Sequence, residues 1–345
     1  MSERRQLTYR DAGVDIDAAS RAMVGVAELV RSTRTADTLS ELGSFGGLFH
    51  VPPGIDSPVL VASTDSVGTK VLVALMTGRH DTVGEDLVNH CVNDILVQGA
   101  TPLFVLDYIG VGGLEPGVTE TLVSGVARGC LANGCALLGG ETAELPDLYR
   151  PGEYDLVGTI VGVVAKPQIL DGSRIGPGDA VIAIGSSGLH TNGYSLARRI
   201  VFGEMGLAPN DPFPGLDDSV ANVLLRVHRS YLRALQPWLA NDHLHGLAHI
   251  TGGGLLDNIP RILPEGLSAL IDRSSWSTPP LFQVLQREGG VDDAEMYRAF
   301  NMGVGMVAVV AADHADSLVE SLASAGETAW VAGEIISGAR ETILS

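Results

Sequence analysis

Cysteine is scarce in this sequence, which has only Cys91, Cys130 and Cys135 among its 345 residues. The three form no C-x-x-C pair and no even set, so the sequence indicates neither a structural zinc site nor a disulfide scaffold. Unpaired thiols are typical of a reducing compartment. We therefore expect a cytoplasmic protein.

Positive charge is also in short supply. The chain has 22 Lys and Arg residues against 41 Asp and Glu residues, a formal net charge of −19. Such a chain repels a polyanion and offers no basic stripe, so nucleic-acid binding is not expected. A small anion would need a local cation or a metal ion to bind.

Long apolar runs are missing as well. The longest apolar stretch lies around residues 303–312, far short of the roughly 18 residues that a membrane-spanning helix needs. The first residues, MSERRQLTYRD, contain no apolar segment typical of a secretion signal. The sequence therefore predicts no membrane association.

Glycine, in contrast, is plentiful, with 43 residues in a chain whose hydrophobic content is 45%. The length suits two domains, and apolar runs alternate with helical periodicity, which predicts an α/β (α+β) fold. A helix capped by Asp17 and ending before Ser32 comes first. The later predicted elements are strands at 59–63, 102–109, 135–140, 154–164, 180–185, 247–250, 303–312 and 328–335, and helices at 82–98, 118–132, from 193 and after Asp313. A turn-rich segment, 166–179, separates the predicted domains 1–168 and 169–345.

The stretch STDSVGTK, residues 63–70, follows the first predicted strand. Ligands of open α/β sheets bind beyond the carboxyl ends of strands, where Asp65 would lie. The alternative is an aspartate that only caps a turn. Gly68-Thr69-Lys70 resembles the end of a Walker phosphate loop, but no glycine stands five residues before Gly68, so that motif is excluded. We expect no helix to begin at this point.

The predicted helix 82–98 carries Asp86, His90, Asn93 and Asp94 on one face, because they are three or four residues apart. A solvated helix face and a functional site are both compatible with this pattern. Carboxylates beside glycine loops suit Mg²⁺, which takes one or two of them and fills its other positions with water and phosphate oxygens. Asp107, inside a predicted strand, needs a partner if it is buried.

Four glycine-rich segments offer backbone N–H groups that can cradle an anion. They are GSFGG (43–47), LLGGET (137–142), GSSGLHTNG (185–193) and TGGG (251–254). No G-x-G-x-x-G motif opens a helix, so NAD binding is not indicated. His190 in the third segment, which we expect to be a mobile polar loop, fits either phosphate or proton chemistry or a structural role.

A second group of histidines, His243, His245 and His249, suggests zinc at first. Their spacing would need a change from strand to helix inside the segment, and no acidic fourth ligand is apparent. The sequence therefore argues against a zinc site here.

Taken in order, these motifs resemble the phosphoribosylformylglycinamidine cyclo-ligase family. The matching segments are YRDAGVDI (9–16), FGGLF (45–49), STDSVGTK (63–70), RHDTVGEDLVNHCVNDILVQGA (79–100), GGETAELP (139–146), SSGLHTNGYSL (186–196), HITGGGLLDNIPR (249–261) and FNMGVGM (300–306). The resemblance implies a homodimer in which the N-terminal domain contributes strands to a dimeric β-barrel, and a C-terminal mixed α/β domain that completes the substrate cleft.

The resemblance also implies an activity, the ATP-dependent cyclisation of formylglycinamidine ribonucleotide through an iminophosphate. ATP would be a co-substrate with Mg²⁺, and K⁺ is a further candidate. Carried over position by position, the implied catalytic residues are Asp94, His190 and Lys70, and the implied metal ligands are Asp65, Asp94 and Glu141. The implied nucleotide contacts are Gly46, Gly47, Asp65, Thr69, Lys70, Asp107, Gly140, Glu141 and Thr142. The implied substrate contacts are His190, Thr191, Asn192 and Asn301.

Three positions depart from the family pattern. Ser66 stands where the family has glycine, Arg10 where it has lysine, and Ala27 where it has a lysine that Arg21 or Arg31 would have to replace. These departures leave two alternatives open. One is another ATP-using enzyme of the same superfamily, such as a small-molecule kinase or a selenophosphate or hydrogenase-maturation relative. The other is a nucleotide-binding protein without catalysis.

Overall fold

The structure is a computed structural model that describes residues 25–345 except 42, 43 and 45. Its first described element is helix α1 (25–32). Asp17, Arg10 and the segment 9–16 lie outside the described residues. Within the described part of the chain, every helix is too short or too polar to cross a membrane.

The N-terminal half contains a four-stranded sheet with helices on one face. The elements are β1 (Pro58–Ser66), a 3₁₀ turn (Gly68–Lys70), α2 (Val71–Thr77), α3 (Val83–Leu96), β2 (Thr101–Val111), α4 (Pro116–Asn133), β3 (Ala136–Glu144) and β4 (Tyr154–Ala165). The strand order is β1-β4-β2-β3. Only β2 and β3 run parallel, and β4 pairs antiparallel with both β1 and β2.

The predicted helices at 82–98 and 118–132 and the strands around 59–63, 102–109 and 154–164 are all present. Two local predictions are wrong. A helix does begin at Gly68-Thr69-Lys70, because Gly68 adopts a φ of +61° and turns the chain from β1 directly into the 3₁₀ turn and α2. The strand predicted at 135–140 is longer than expected and continues to Glu144, since β3 stays paired with β2 over that length.

The sheet register sets the positions of two predicted carboxylates. Asp65 on β1 is opposite Gly158 on β4, which is opposite Asp107 on β2, which is opposite Gly140 on β3. A side chain at Gly158 would crowd α3, because a Cβ there would lie 2.9 Å from Leu87. With neighbouring strands about 4.8 Å apart, Asp65 and Asp107 are therefore separated by roughly 10 Å, with α3 packed over the strand between them.

The C-terminal half is built on a six-stranded sheet of order β10-β7-β9-β5-β8-β6. Its strands are β5 (Ala180–Gly185), β6 (Leu244–His249), β7 (Leu267–Ile271), β8 (Val304–Val310), β9 (Ala329–Ser337) and β10 (Thr342–Leu344). Its α-helices are α5 (Tyr194–Arg198), α6 (Val220–Leu224), α7 (Leu232–Leu235), α8 (Gly254–Asn258), α9 (Pro280–Gly289), α10 (Asp293–Ala299) and α11 (Ala315–Ser324). A π-helical turn (Arg199–Glu204) follows α5, and a 3₁₀ turn (Ile259–Ile262) follows α8.

Strands β7 and β10 and the helices from α6 to α10 were not predicted. The strands are only five and three residues long, too short for a periodic signal. The predicted cap Asp313 is also wrong by one residue: it lies in a 3₁₀ turn (Ala312–His314), and α11 starts at Ala315 with His314 at the cap position.

Helix α3 joins the two halves. Its Asn93 Oδ1 accepts a hydrogen bond from the backbone N–H of Tyr231, and its Asn89 Nδ2 donates to the backbone oxygen of His228. Both amides are almost fully buried. The polar face predicted for this helix is therefore an interface inside the protein rather than a solvated surface.

Candidate active site

A cavity of about 590 Å³ opens between the two halves. The N-terminal half contributes the end of β1 and the face of α3, and the C-terminal half contributes β6, α8 and the following 3₁₀ turn. The polar residues that line it are Ser63, Asp65, His90, Asp94, Gln98, Asp171, His249, Thr251, Asn258 and Arg261. The cavity therefore combines predicted residues, such as Asp65 and Asp94, with others that the sequence did not single out.

Asp65 and Asp94 meet at one imidazole. His90 Nε2 lies 2.8 Å from Asp65 Oδ2 and 3.6 Å from Asp94 Oδ2. Burial alone would lower the pKa of His90, but the hydrogen bond with Asp65 and the charges of both carboxylates raise it above its usual value. Desolvation opposes ionisation of Asp65, yet the bond and charge of His90 hold the pKa of that carboxyl below its usual value.

Asp94 is held from three sides. His249 Nδ1 lies 2.8 Å from Asp94 Oδ1, and Ser63 Oγ donates to Asp94 Oδ2 at 3.0 Å. Burial favours the neutral acid, but these bonds and the neighbouring imidazoles lower the pKa of Asp94 overall. Because His249 comes from β6, this carboxylate ties the two halves together at the cavity wall.

A chain of hydrogen bonds connects His249 back to His90. His249 Nε2 lies 3.1 Å from His228 Nε2, whose Nδ1 lies 3.2 Å from Thr191 Oγ1, which in turn lies 2.7 Å from His90 Nδ1. One proton arrangement satisfies the bonds of this chain: His90 donates to Thr191, Thr191 to His228, His228 to His249, and His249 to Asp94. The 3.2 Å contact of Asn93 Nδ2 with His228 Nε2 is then not a hydrogen bond, since both nitrogens carry protons. This arrangement needs a neutral His228, and burial together with the nearby cationic groups does hold its pKa well below the usual value.

His190 is not on a mobile polar loop as predicted. It is only 1% exposed, and its ring stacks on His228 with centroids 4.0 Å apart. Its Nε2 accepts a hydrogen bond from the backbone N–H of Ser187, and its φ of +62° is a left-handed conformation. Burial lowers the pKa of His190 well below its usual value. The ring packs behind Thr191 and does not line the cavity.

Lys70 is fully buried rather than free to reach a ligand. Its Nζ lies 2.7 Å from Asp86 Oδ2 and also donates to the backbone oxygens of His190 and Arg226. Burial lowers the pKa of Lys70 and raises that of Asp86, while each charge stabilises the other. Three protein oxygens accept hydrogen bonds from its three N–H groups. This geometry favours a structural role, in which Lys70 links the two halves, over the predicted phosphate contact.

The remaining predicted residues form hydrogen bonds with loop residues of the C-terminal half or lie in those loops. Thr69 Oγ1 lies 3.1 Å from Ser195 Oγ. Asn301 Oδ1 accepts from Ser186 Oγ and from the N–H of Gly303, while its Nδ2 donates to the backbone oxygen of Gly188. Asn192 Nδ2 is buried without a hydrogen-bond partner among the described residues. In the same loop, His190 Nδ1 is also buried without a hydrogen-bond partner among the described residues.

The predicted nucleotide contacts on β2 and β3 lie apart from the Asp65–Asp94 pair. Asp107 rests against Gly140, where a Cβ would come within 2.0 Å of Asp107 Oδ1, and desolvation raises the pKa of Asp107 to about 7. Glu141 is exposed and opposite Tyr108, three strands away from β1. Within the described chain Glu141 does not approach Asp65 or Asp94, so its metal role stays a prediction. The same holds for the nucleotide contacts Gly46, Gly47 and Thr142.

Of the departures from the family pattern, Ser66 proves compatible with the fold. It is the last residue of β1 and has a negative φ, so its position does not need the conformational freedom of glycine. Its N–H bonds to Asp65 Oδ1 at 2.6 Å. Ala27 lies half-buried in α1 and Arg31 is exposed on the same helix.

The histidine trio 243, 245 and 249 does not converge. His245 bonds to Asp179, and His243 stacks on His314 at the surface. What the sequence missed is His228, which lies in an irregular segment without periodicity. It also missed Asn258 and Arg261, although both stand in the motif HITGGGLLDNIPR.

Comparison with known proteins agrees with this architecture. Residues 54–164 match the family model for the N-terminal domain of AIR synthase related protein, and residues 176–344 match that for its C-terminal domain. Among solved structures, hydrogenase maturation protein HypE in complex with ATP has a TM-score of 0.68 and 18% identity, covering 97% of this chain and 93% of its own. Thiamine-monophosphate kinase from Stenotrophomonas maltophilia K279a has a TM-score of 0.67 and 18% identity, covering 93% and 96%. These likenesses show the fold.

Curated relatives are much closer in sequence. Phosphoribosylformylglycinamidine cyclo-ligase of Sorangium cellulosum is 54% identical over 333 residues, which is 96% of each chain. The enzyme of the same name from Geobacter sulfurreducens is 50% identical over 333 residues, again 96% of each chain. The protein therefore belongs to the phosphoribosylformylglycinamidine cyclo-ligase family.

Proposed function

We propose that the cavity between the two halves is where this ligase closes its imidazole ring. The reaction of the family is the ATP-dependent cyclisation of formylglycinamidine ribonucleotide to 5-aminoimidazole ribonucleotide, a step of purine biosynthesis, with release of ADP and phosphate. The observation that carries the placement is the meeting of Asp65 and Asp94 at His90, on the wall of this cavity. A cytoplasmic location is part of the same proposal.

The donor set of this wall fits Mg²⁺. Asp65 and Asp94 both favour the ionised form, and the Asp65 side chain is 44% exposed toward the cavity. Mg²⁺ takes one or two carboxylates and completes its octahedron with water and phosphate oxygens. When bound, it would neutralise triphosphate charge and hold the transferred phosphoryl group in place. Asp65 and Asp94 would hold it, and Glu141 joins them only as a prediction from family resemblance.

The reaction needs two steps in one cleft. In the first, the formyl amide oxygen takes the γ-phosphoryl group of ATP, and ADP is released. In the second, the amidine nitrogen forms a bond to the formyl carbon and loses a proton, and the bond between that carbon and the phosphorylated oxygen breaks as phosphate leaves. Ring closure within one molecule depends on holding the nucleophile near the activated carbon, for which positioning supplies most of the rate.

The residues of this chain hold protons and loops in fixed positions around the cavity. His249 holds a proton on Nδ1 toward Asp94, and His90 holds one on Nε2 toward Asp65. Thr191 is fixed between His90 and His228, so the loop that carries Asn192 is attached to the wall that carries the carboxylates. In this account His190 and Lys70 act behind the cavity, by supporting that loop, rather than by touching the reacting atoms.

We also propose that the protein is a homodimer through its N-terminal sheet. Helices α3 and α4 cover one face of that sheet, while the other face presents Leu60 and Leu106, which are 58% and 38% exposed. Exposed leucines on a regular sheet face favour pairing with another apolar surface. A second copy of the same face would bury them, in keeping with the β-barrel that the family resemblance implies.

Purified protein tests the proposal directly. With Mg·ATP and formylglycinamidine ribonucleotide, ADP and 5-aminoimidazole ribonucleotide should form in equal amounts. ATP turnover with a different acceptor would point to a kinase-like activity instead. Tight ATP binding without turnover on any acceptor would point to a nucleotide-binding protein without catalysis.

A further inference from the structure

The charges that line the cavity are unevenly distributed. Its carboxylates are Asp65, Asp94 and Asp171, and among the described lining residues its single Lys or Arg side chain is Arg261. The first two carboxylates are engaged by His90 and His249, and Asp171 Oδ1 accepts from the backbone N–H of Ser173. Asp65 and Asp94 thus come from the N-terminal half of the cavity wall, whereas the guanidinium comes from the 3₁₀ turn that follows α8.

Arg261 is held in place without being neutralised. Its Nη1 donates to Asn258 Oδ1 at 3.1 Å, and Arg261 forms no ion pair with any carboxylate of the described residues. A guanidinium has five N–H donors, so four remain for a ligand. An exposed cation of this kind at the wall of a cleft is available to bind an anion.

Asn258 explains why the guanidinium keeps its position. This residue is 2% exposed, and its Nδ2 donates to the backbone oxygens of Thr251, Gly252 and Gly254. Thr251 Oγ1 donates to the same Asn258 Oδ1 that receives Arg261. The support of Arg261 is thus a buried amide with every polar atom bonded.

The substrate of the proposed function has its own uneven charge. It ends in a ribose 5′-phosphate, which carries between one and two negative charges at neutral pH, as other phosphate monoesters do. Placed beside Asp65 and Asp94 without a bridging metal ion, this group would be repelled, in a protein with a net charge of −19. Beside Arg261 it would gain charge-assisted hydrogen bonds that a planar guanidinium can make in pairs.

We propose that Arg261 binds the 5′-phosphate of the ribonucleotide substrate and thereby orients it in the cavity. The phosphate lies toward α8 and its 3₁₀ turn, and the formyl amide lies toward Asp65 and Asp94, where phosphoryl transfer takes place. This inference rests on the proposed function for the identity of the substrate. It adds a specificity residue that distinguishes the ribonucleotide from the corresponding ribonucleoside.

The test is equilibrium binding by calorimetry without ATP, comparing formylglycinamidine ribonucleotide with its dephosphorylated ribonucleoside. Arg261→Gln should weaken ribonucleotide binding by about 10- to 100-fold, the range expected for bonds to a charged group. Ribonucleoside binding should change by less than about twofold, since the lost contact is to the phosphate alone. Arg261→Lys should be intermediate, because it keeps the charge without the paired donors.

Arg340→Gln is the matched control. Arg340 Nε donates to the backbone oxygen of Pro260, one residue before Arg261, yet its side chain does not line the cavity. This variant should bind both compounds as the wild type does. Thermal unfolding midpoints close to that of the wild type would show that both glutamine variants are folded.

The outcomes separate the inference from the proposed function. The inference is supported if the wild type binds the ribonucleotide and Arg261→Gln does not. This holds even if the wild type shows no turnover and the proposed function fails. Equal ribonucleotide affinity in the wild type and Arg261→Gln overturns it. A variant that loses affinity for Mg·ATP but not for the ribonucleotide also overturns it, because Arg261 would then contact the triphosphate.

Discussion

His249 and Asp94 form a hydrogen bond of 2.8 Å between the two halves of the protein, from β6 to α3. The bond places an ionised carboxylate at the wall of the cavity and beside Asp65. We expect Asp94→Asn and Asp65→Asn each to lower kcat/KM for Mg·ATP by about 100-fold or more, as when an aligned electrostatic group is lost from an active site. Steady-state kinetics over a range of Mg²⁺ concentrations measures this effect.

Asp171→Asn is the control for both variants, because Asp171 lines the same cavity but bonds only to the chain near itself. It should behave like the wild type. Circular dichroism should show all three variants folded. Wild-type kinetics in both Asp65→Asn and Asp94→Asn would contradict the assignment of a metal site to these residues.

The buried pair Lys70–Asp86 predicts a stability effect rather than a catalytic one. Lys70→Met leaves the Asp86 carboxylate buried and unpaired, which should cost about 3–5 kcal/mol of unfolding free energy. The double variant Lys70→Met/Asp86→Leu should recover much of that loss, since no charge then remains buried. Urea unfolding measures both.

The kinetics of a folded Lys70 variant decide between the two roles of this residue. If the double variant is stable and keeps the wild-type KM for ATP, Lys70 has a structural role between the two halves. A stable double variant whose KM for ATP rises tenfold or more would instead support the predicted phosphate contact.

Asp107 predicts a dependence of stability on pH with a definite sign. Burial raises its pKa to about 7 in the folded chain, against about 3.9 in an unfolded one. Between these two pKa values the folded protein binds one more proton than the unfolded chain. The contribution of Asp107 to the free energy of unfolding therefore falls as pH rises from about 4 to 7 and is constant above. The total cost is at most about 4 kcal/mol.

Asp107→Asn should remove that cost. Its unfolding free energy should exceed that of the wild type at pH 8 and match it at about pH 3, below both pKa values, where the carboxyl is largely protonated in both states. Chemical unfolding at the two pH values gives the comparison. An equal difference between the two proteins at both pH values would show that Asp107 titrates normally.

The positive φ of His190 allows its ring to be tested separately from its backbone. Asparagine tolerates the left-handed conformation, so His190→Asn should keep the loop while removing the stack on His228. We expect a several-fold higher KM for formylglycinamidine ribonucleotide, because Thr191 and Asn192 lose support, with the KM for ATP unchanged. A change confined to the KM for ATP would contradict this placement.

The exposed face of the N-terminal sheet predicts the oligomeric state. Leu106→Glu places a charge in the middle of the proposed dimer interface and should shift the protein from dimer to monomer in analytical ultracentrifugation. Leu131→Glu is the control, since Leu131 is 53% exposed on α4, away from that face. A wild-type protein that sediments as a monomer at micromolar concentration would end the dimer proposal.

Much of the fold could be predicted because local patterns were strong. Strand β4, with alternating burial over twelve residues, and helix α3, with its apolar core side, both carry clear periodicity. Asp65 and Asp94 could also be proposed from their positions at a strand end and on a helix face. The short strands β7 and β10 could not, since they exist only because longer neighbours pair with them.

The remainder of the site depends on contacts between distant segments. His228 lies 135 residues from Asn93 in the chain, and Lys70 lies 156 residues from Arg226. Nothing near Lys70 in the sequence shows that the other half of the protein will bury it, and its phosphate contact was implied by the family resemblance. Burial of His190 has the same cause, since the ring that stacks on it is His228.

The most direct test of the central claim measures product formation with purified wild-type protein and Asp94→Asn side by side. Both receive Mg·ATP and formylglycinamidine ribonucleotide, and ADP and 5-aminoimidazole ribonucleotide are quantified together. We predict one ADP per aminoimidazole ribonucleotide from the wild type, no reaction without Mg²⁺, and a rate about 100-fold lower from folded Asp94→Asn. Equal rates from the two proteins, or ADP release from the wild type without ring closure, would contradict the account.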